Sequence, residues 1–191
     1  MSVRPADPLF GWPTTVRSEG PKPNDENWQA KATVNMKFPG TAYTEPELAF
    51  LWQHDFDERP KAVVEHLKGQ TPHPEGSLYV GAKGMIYSPY GKPPQLLPAE
   101  QFKGFDVPEV GKGPEHHAEF AAACQGKGKT SAPFAYSGPL TESVLLGCLS
   151  TRFPNTTLNW DAKSLSFTNE SAANVFVRKT YRKGWEVPGL A

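Results

Sequence analysis

The sequence predicts an α+β fold, a mainly antiparallel open sheet with helices packed on one face. Three observations carry this. Along Trp28–Phe38 the residues alternate, with Trp28, Ala30, Ala32, Val34, Met36 and Phe38 on one side and polar residues on the other. That period of two marks a half-buried antiparallel strand. Two apolar runs, Leu78–Val80 and Met85–Tyr87, flank Gly81-Ala-Lys-Gly84, the pattern of a glycine-turned hairpin. Strand-like segments come first and helix-like segments later, without the alternating rhythm of a doubly wound parallel sheet.

Residues 1–13 read as a proline-punctuated arm and 14–191 as one α+β domain. Thr14–Gly20 reads as a short strand and Pro46–Asp55 as another, apolar in its middle. In the second half, Gly113-Pro114 introduces a helix whose stripe is His117, Phe120, Ala121 and Cys124. Gly138-Pro139 opens a second helix with the stripe Val144, Leu145, Cys148 and Leu149, closed by Pro154. Thr157–Phe167 reads as strand on either side of a turn. Asn169 is placed to cap a last helix that turns Val175, Phe176 and Val177 inward. Arg178, Lys179, Arg182 and Lys183 then complement the negative dipole end of that helix.

Composition excludes several function classes. Twenty basic residues balance 20 acidic ones, so there is no long-range pull toward nucleic acid or an anionic membrane. No apolar run approaches the roughly 18 residues of a membrane span, and Met1–Pro13 lacks the continuous apolar segment of a secretion signal. The expected compartment is cytoplasmic. Cys124 and Cys148 lack metal-ligand spacing and read as small buried hydrophobes.

Few stretches spell out chemistry. Ala123, Gly128, Lys129 and Thr130 fit the relaxed phosphate-loop pattern, but a true phosphate loop runs strand, glycine loop, helix. Here the pattern starts inside a helix, Gly126 sits where a glycine cap ends it, and Pro133 turns the chain toward extended geometry. The candidate binding residues are Trp52, His54 and His116. Trp52 and His54 gather with Asp55 and Asp57 at a strand end, where an exposed indole stacks well on a sugar ring; a solvated loop is the competing reading. His116-His117 is the most noticeable polar pair. Helical neighbours point about 100° apart, which favours one histidine under the sheet and one at the surface over a shared metal. No catalytic triad, carboxylate dyad or metal-ligand pattern emerges, so no catalytic or metal residue is assigned.

Several stretches together resemble a known family. "EHHAEFAAACQGKGKTSAPFAYSGPLTESVLLGCLSTRF" and "LNWDAKSLSFTNESAANVFVRKTYRKGW" are similar to the C-terminal half of the glucose–fructose oxidoreductase / inositol dehydrogenase (Gfo/Idh/MocA) family, in its bacterial-type branch. "GSLYVGAKGMIY" resembles the hairpin preceding those helices, and Asp7-Pro8-Leu9-Phe10 the segment after the family's catalytic histidine. The resemblance implies an α+β substrate-side domain that shapes a sugar or polyol pocket and associates through its sheet. In full-length members an N-terminal Rossmann domain holds NAD(P).

The departures bear on chemistry. The sequence has no G-x-G-x-x-G, no Glu-Lys-Pro and no Asp-x-x-x-His, and the position of the family's histidine falls on Arg4. Hydride transfer needs the cofactor ring held against the substrate carbon. The chain is therefore expected to bind no cofactor alone and not to be catalytic alone, as a truncated or split member. Its expected partners are a sugar or polyol, a second copy through the sheet containing Trp28–Phe38, and a separate Rossmann-domain chain. The alternative is a non-catalytic carbohydrate-binding or scaffold protein that keeps the fold.

Overall fold

The computed structural model describes residues 11–54, 59–109 and 111–188, the side chain of Ala62 excepted. In chain order its elements are β1 (Thr15–Glu19), β2 (Ala32–Pro39), β3 (Glu47–His54), α1 (Lys61–His66), β4 (Gly76–Gly81), β5 (Gly84–Pro89) and β6 (Gln95–Leu97). A 3₁₀ turn (Ala99–Phe102) follows, then α2 (His116–Cys124), α3 (Phe134–Ser150), β7 (Thr157–Asp161), β8 (Ser166–Phe167) and a second 3₁₀ turn (Ser171–Phe176). The fold is α+β. Its described residues fall into two compact units, one within Met1–Phe56 and Glu115–Ala191, the other within Asp57–Pro114.

The larger unit is a five-stranded antiparallel sheet in the order β3-β2-β1-β7-β8. The alternation in β2 does what its period demands. Ala32, Val34, Met36 and Phe38 are buried with Val16 of β1 and Leu158 and Trp160 of β7, while Arg17, Asn35 and Lys37 share the opposite face. The strand begins at Ala32 rather than Trp28. The Asn24 side-chain oxygen accepts from the amides of Glu26 and Asn27, at 2.9 Å each, and folds that stretch into a turn. Trp28 lies outside the strand and is exposed.

Helix α3 packs over β1 and β2; it starts earlier than expected, and of the expected stripe Leu149 is buried while Val144 and Leu145 are not. It begins at Phe134 because the Pro133 carbonyl accepts from the Tyr136 and Ser137 amides. Pro139, inside the helix, forfeits one bond in the ladder. The buried residues are Leu146, Gly147, Leu149 and Ser150, while Val144 and Leu145 stay exposed. The small residues choose the face. A Cβ on Gly147 would stand 2.7 Å from the Met36 methyl, so glycine permits the close approach of helix to sheet. The Ser18 hydroxyl donates to the Ser150 carbonyl at 2.7 Å, and the Ser150 hydroxyl to the Gly147 carbonyl at 2.7 Å. These bonds satisfy carbonyls in the helix's last turn.

The expected last helix is also corrected. Residues Ser171–Phe176 form a 3₁₀ turn capped by the Glu170 side chain, with Ala173 buried and Val175 and Phe176 exposed. Asn169 is drawn elsewhere, accepting from the Asn159 amide and donating to the Thr157 carbonyl, at 2.8 Å each. Asn174 does the same to Phe167, accepting from its amide at 2.7 Å and donating to its carbonyl at 3.0 Å. Two side-chain amides thus stand in for strand backbone.

The smaller unit is an antiparallel meander, β4-β5-β6, with Leu67, Tyr87 and Leu97 at its centre. Ala82 and Lys83 form the two-residue turn between Gly81 and Gly84. Gly84 has φ +151°, and any Cβ there would strike the Phe102 ring. Among the described residues no helix is long and apolar enough to cross a membrane.

Candidate functional site

Trp52 and His54 occupy the end of the edge strand β3, and the strand itself brings them together. Residues two apart on a strand share a face, and the two rings stack at 5.4 Å with an interplanar angle of 3°. Trp52 lies opposite Val34 and His54 opposite Ala32, so both stand on the sheet face that α3 covers over β1 and β2. At this edge the cover gives out, leaving Trp52 43% exposed. The result is a flat aromatic surface with imidazole nitrogens beside it, able to stack against C–H groups and to hydrogen-bond a hydroxyl. Asp55 and Asp57 lie outside the described residues.

His116 is elsewhere, at the start of α2, and no hydrogen bond or ring contact links it to Trp52 or His54 among the described residues. Both histidines are exposed, so neither packs under the sheet. Their rings lie side by side, centroids 4.0 Å apart, closer than their neighbouring positions on a helix suggest. The local cause is Glu115, which accepts from the amides of His117 (3.1 Å) and Ala118 (2.7 Å) and binds the His117 ring at 2.8 Å. The Ala118 amide foremost, then the His117 amide and ring, hold the Glu115 carboxyl below its ordinary pKa. Glu115, His116 and His117 bring potential ligand atoms within 4.8 Å of one another. The carboxylate, however, is already committed to the helix cap, and all three residues are exposed.

The phosphate-loop spelling resolves into a helix terminus. The Gly126 amide donates to the Ala123 carbonyl at 3.0 Å and the Lys127 amide to Ala122 at 2.9 Å, with Gly126 at φ +71°. This pair of bonds is a Schellman cap, which closes a helix C-terminus and offers carbonyls rather than amides. Cys124, on the same helix, is exposed rather than buried.

A larger feature went unseen in the sequence. Beside α3 a groove of about 830 Å³ runs between that helix and the strip from Phe176 to Tyr181. Leu145, Leu149, Leu165, Phe176 and Val177 give it an apolar lining. Arg152, Arg178 and Lys179 supply positive charge, so the last two lie along a cleft instead of capping a helix dipole. The Arg152 guanidinium sits 5.5 Å from the Trp28 ring centre and 5.1 Å from that of Phe176. Glu142, the carboxylate on the lining, accepts from the indoles of Trp160 at 2.9 Å and Trp12 at 3.2 Å. One signal was available: α3 is apolar on nearly every side, more than a single sheet contact can bury.

No protein-family model matches the chain, and no curated protein matches it.

Among the described residues both sheets are antiparallel, and no strand runs through a glycine loop into a helix N-terminus, the arrangement by which a Rossmann domain holds a dinucleotide.

Proposed function

We propose that the chain is the substrate-side and assembly domain of a Gfo/Idh/MocA-like sugar or polyol oxidoreductase, with NAD(P) held by a Rossmann domain outside this sequence. The observation that carries the reading is the exposed Trp52–His54 stack. A pyranose ring presents C–H groups on one face and hydroxyls around its rim, which suits an indole face beside an imidazole. The α+β architecture, with α3 on one face of an antiparallel sheet, agrees with the resemblance. Assembly through the sheet belongs to the same proposal. β3 is an edge strand with Phe50 and Leu51 partly exposed, and such edges invite pairing with a second chain.

The test is saturation-transfer NMR with hexoses and polyols on wild type and Trp52→Ala. Saturation transfer from the protein to at least one sugar, weakened about fivefold or more by the substitution, supports the site. No transfer to any sugar, or an unchanged signal in the variant, sinks it. A non-catalytic carbohydrate-binding protein shares this platform, which needs no cofactor. Oxidation of the bound sugar on adding a Rossmann-domain partner with NAD(P) favours the oxidoreductase reading; binding without oxidation favours the second. Sedimentation showing only monomer at micromolar concentration removes the assembly role.

A further inference from the structure

We propose that the groove beside α3 binds an amphipathic oxyanion, an apolar body of about ten carbons ending in a carboxylate or phosphate. The site is separate from the Trp52–His54 platform and does not depend on the sugar reading. Its volume of about 830 Å³ lies within the range of small-ligand clefts. Such clefts combine apolar walls with a few convergent polar groups, which is the composition found here.

Charge selects the ligand's head. Arg152, Arg178 and Lys179 line the groove, and none has a carboxylate within ion-pair distance among the described residues. Glu142 makes no ion pair with any of the three among the described residues; its two oxygens accept the indole N–H groups of Trp12 and Trp160. Arg152 is the group best prepared for an anion. Its guanidinium lies between the Trp28 and Phe176 rings, so little side-chain entropy remains to be lost on binding. Among the described residues its one other partner is the Asn24 carbonyl at 3.5 Å, the outer limit of a hydrogen bond, so most of its N–H donors remain for a ligand oxygen.

Apolarity selects the body. Leu145, Leu149, Leu165 and Val177 offer no hydrogen bonds, and the Ser137 hydroxyl already donates to the Pro133 carbonyl at 3.1 Å. Sugar hydroxyls lying against these four apolar side chains would find no partner there. A hydrocarbon chain meets no such penalty.

Calorimetry on the full chain, with decanoate and decyl phosphate kept below their micelle concentrations, tests this. Decyltrimethylammonium serves as the control of opposite charge. Saturable binding of either anion at one per chain is expected, with the cation at least about tenfold weaker. The tighter anion shows which head-group chemistry the groove prefers. Arg152→Gln should weaken the anion about tenfold. Should that variant not fold, Leu145→Asp decides, since Leu145 lines the groove yet is 59% exposed, and a carboxylate there should repel the ligand. Absence of saturable anion binding, equal affinity for the cation, or unchanged affinity in folded Leu145→Asp overturns the proposal. So does a result in which an acidic amphipathic peptide binds there and neither alkyl anion does; the groove is then a protein-docking surface.

Discussion

Glu142 offers the sharpest test of how α3 is held. One carboxylate receives two indole donors, from Trp160, which is 8% exposed, and from Trp12. Glu142→Gln keeps the shape but leaves a single carbonyl oxygen and turns an NH₂ group toward one indole. The bond lost should be the longer one to Trp12, and the survivor becomes neutral. Hydrogen bonds to a charged group contribute about 1.5–3 kcal/mol and neutral ones about 1 kcal/mol. With both donors only partly shielded, the low end applies, and Gln should cost about 2 kcal/mol. Glu142→Ala removes both bonds and should cost about 3 kcal/mol. Urea unfolding followed by tryptophan fluorescence is the assay. All five tryptophans lie in the larger unit, so the smaller one does not blur the transition. At about 2 kcal/mol per molar urea, Gln lowers the midpoint by roughly 1 M. If Gln stays within about 0.5 kcal/mol of wild type, or destabilises more than Ala, the two-indole account fails.

Three further outcomes are expected. Gly147→Ala should be nearly neutral, since a helix gain of about 1 kcal/mol offsets moving the buried Met36 methyl, whereas Gly147→Val should cost about 2 kcal/mol by overpacking. A valine variant as stable as wild type in the same urea titration would mean the helix does not approach β2 as described. Asn174→Ala removes both bonds to Phe167 and should cost about 1–2 kcal/mol; an unchanged midpoint contradicts that role. The Glu115 carboxyl has a lowered pKa in the folded chain, so its stabilisation of α2 is fully present above the ordinary value of 4.5 and is lost as pH falls through the folded value. Amide exchange at His117 and Ala118, compared with Gly147 as an internal reference, should quicken selectively in that acid range, and an unselective response argues against the cap.

The fold was legible where local chemistry decides it. The alternation in β2, the Gly81–Gly84 turn and the Gly126 cap each depend on residues close in sequence. It was illegible where a distant partner decides. The side of α3 that meets the sheet is set by Gly147 and Ser150, because only small residues let the helix approach Met36 and Ser18. A hydrophobicity stripe through Val144, Leu145, Cys148 and Leu149 finds Leu149 but misses Gly147 and Ser150. Asn169 reads as a cap because asparagine favours caps, yet β7 offered its side chain two backbone partners at once.

The candidate sites divide in the same way. Trp52 and His54 stack because they are two apart on one strand, and that much a sequence displays. The groove assembles residue 28, the length of α3, β7 and the 176–181 strip, which no local pattern connects. Its trace in the sequence is indirect. A helix shaped only by folding would send its leucines to the core and keep small or polar residues outside. In α3 Gly147 and Ser150 go in beside Leu146 and Leu149, while Leu140, Val144 and Leu145 remain more than half exposed. These outward residues add little to folding stability, and with Arg152 fixed between two rings beside them they form a surface organised for a ligand.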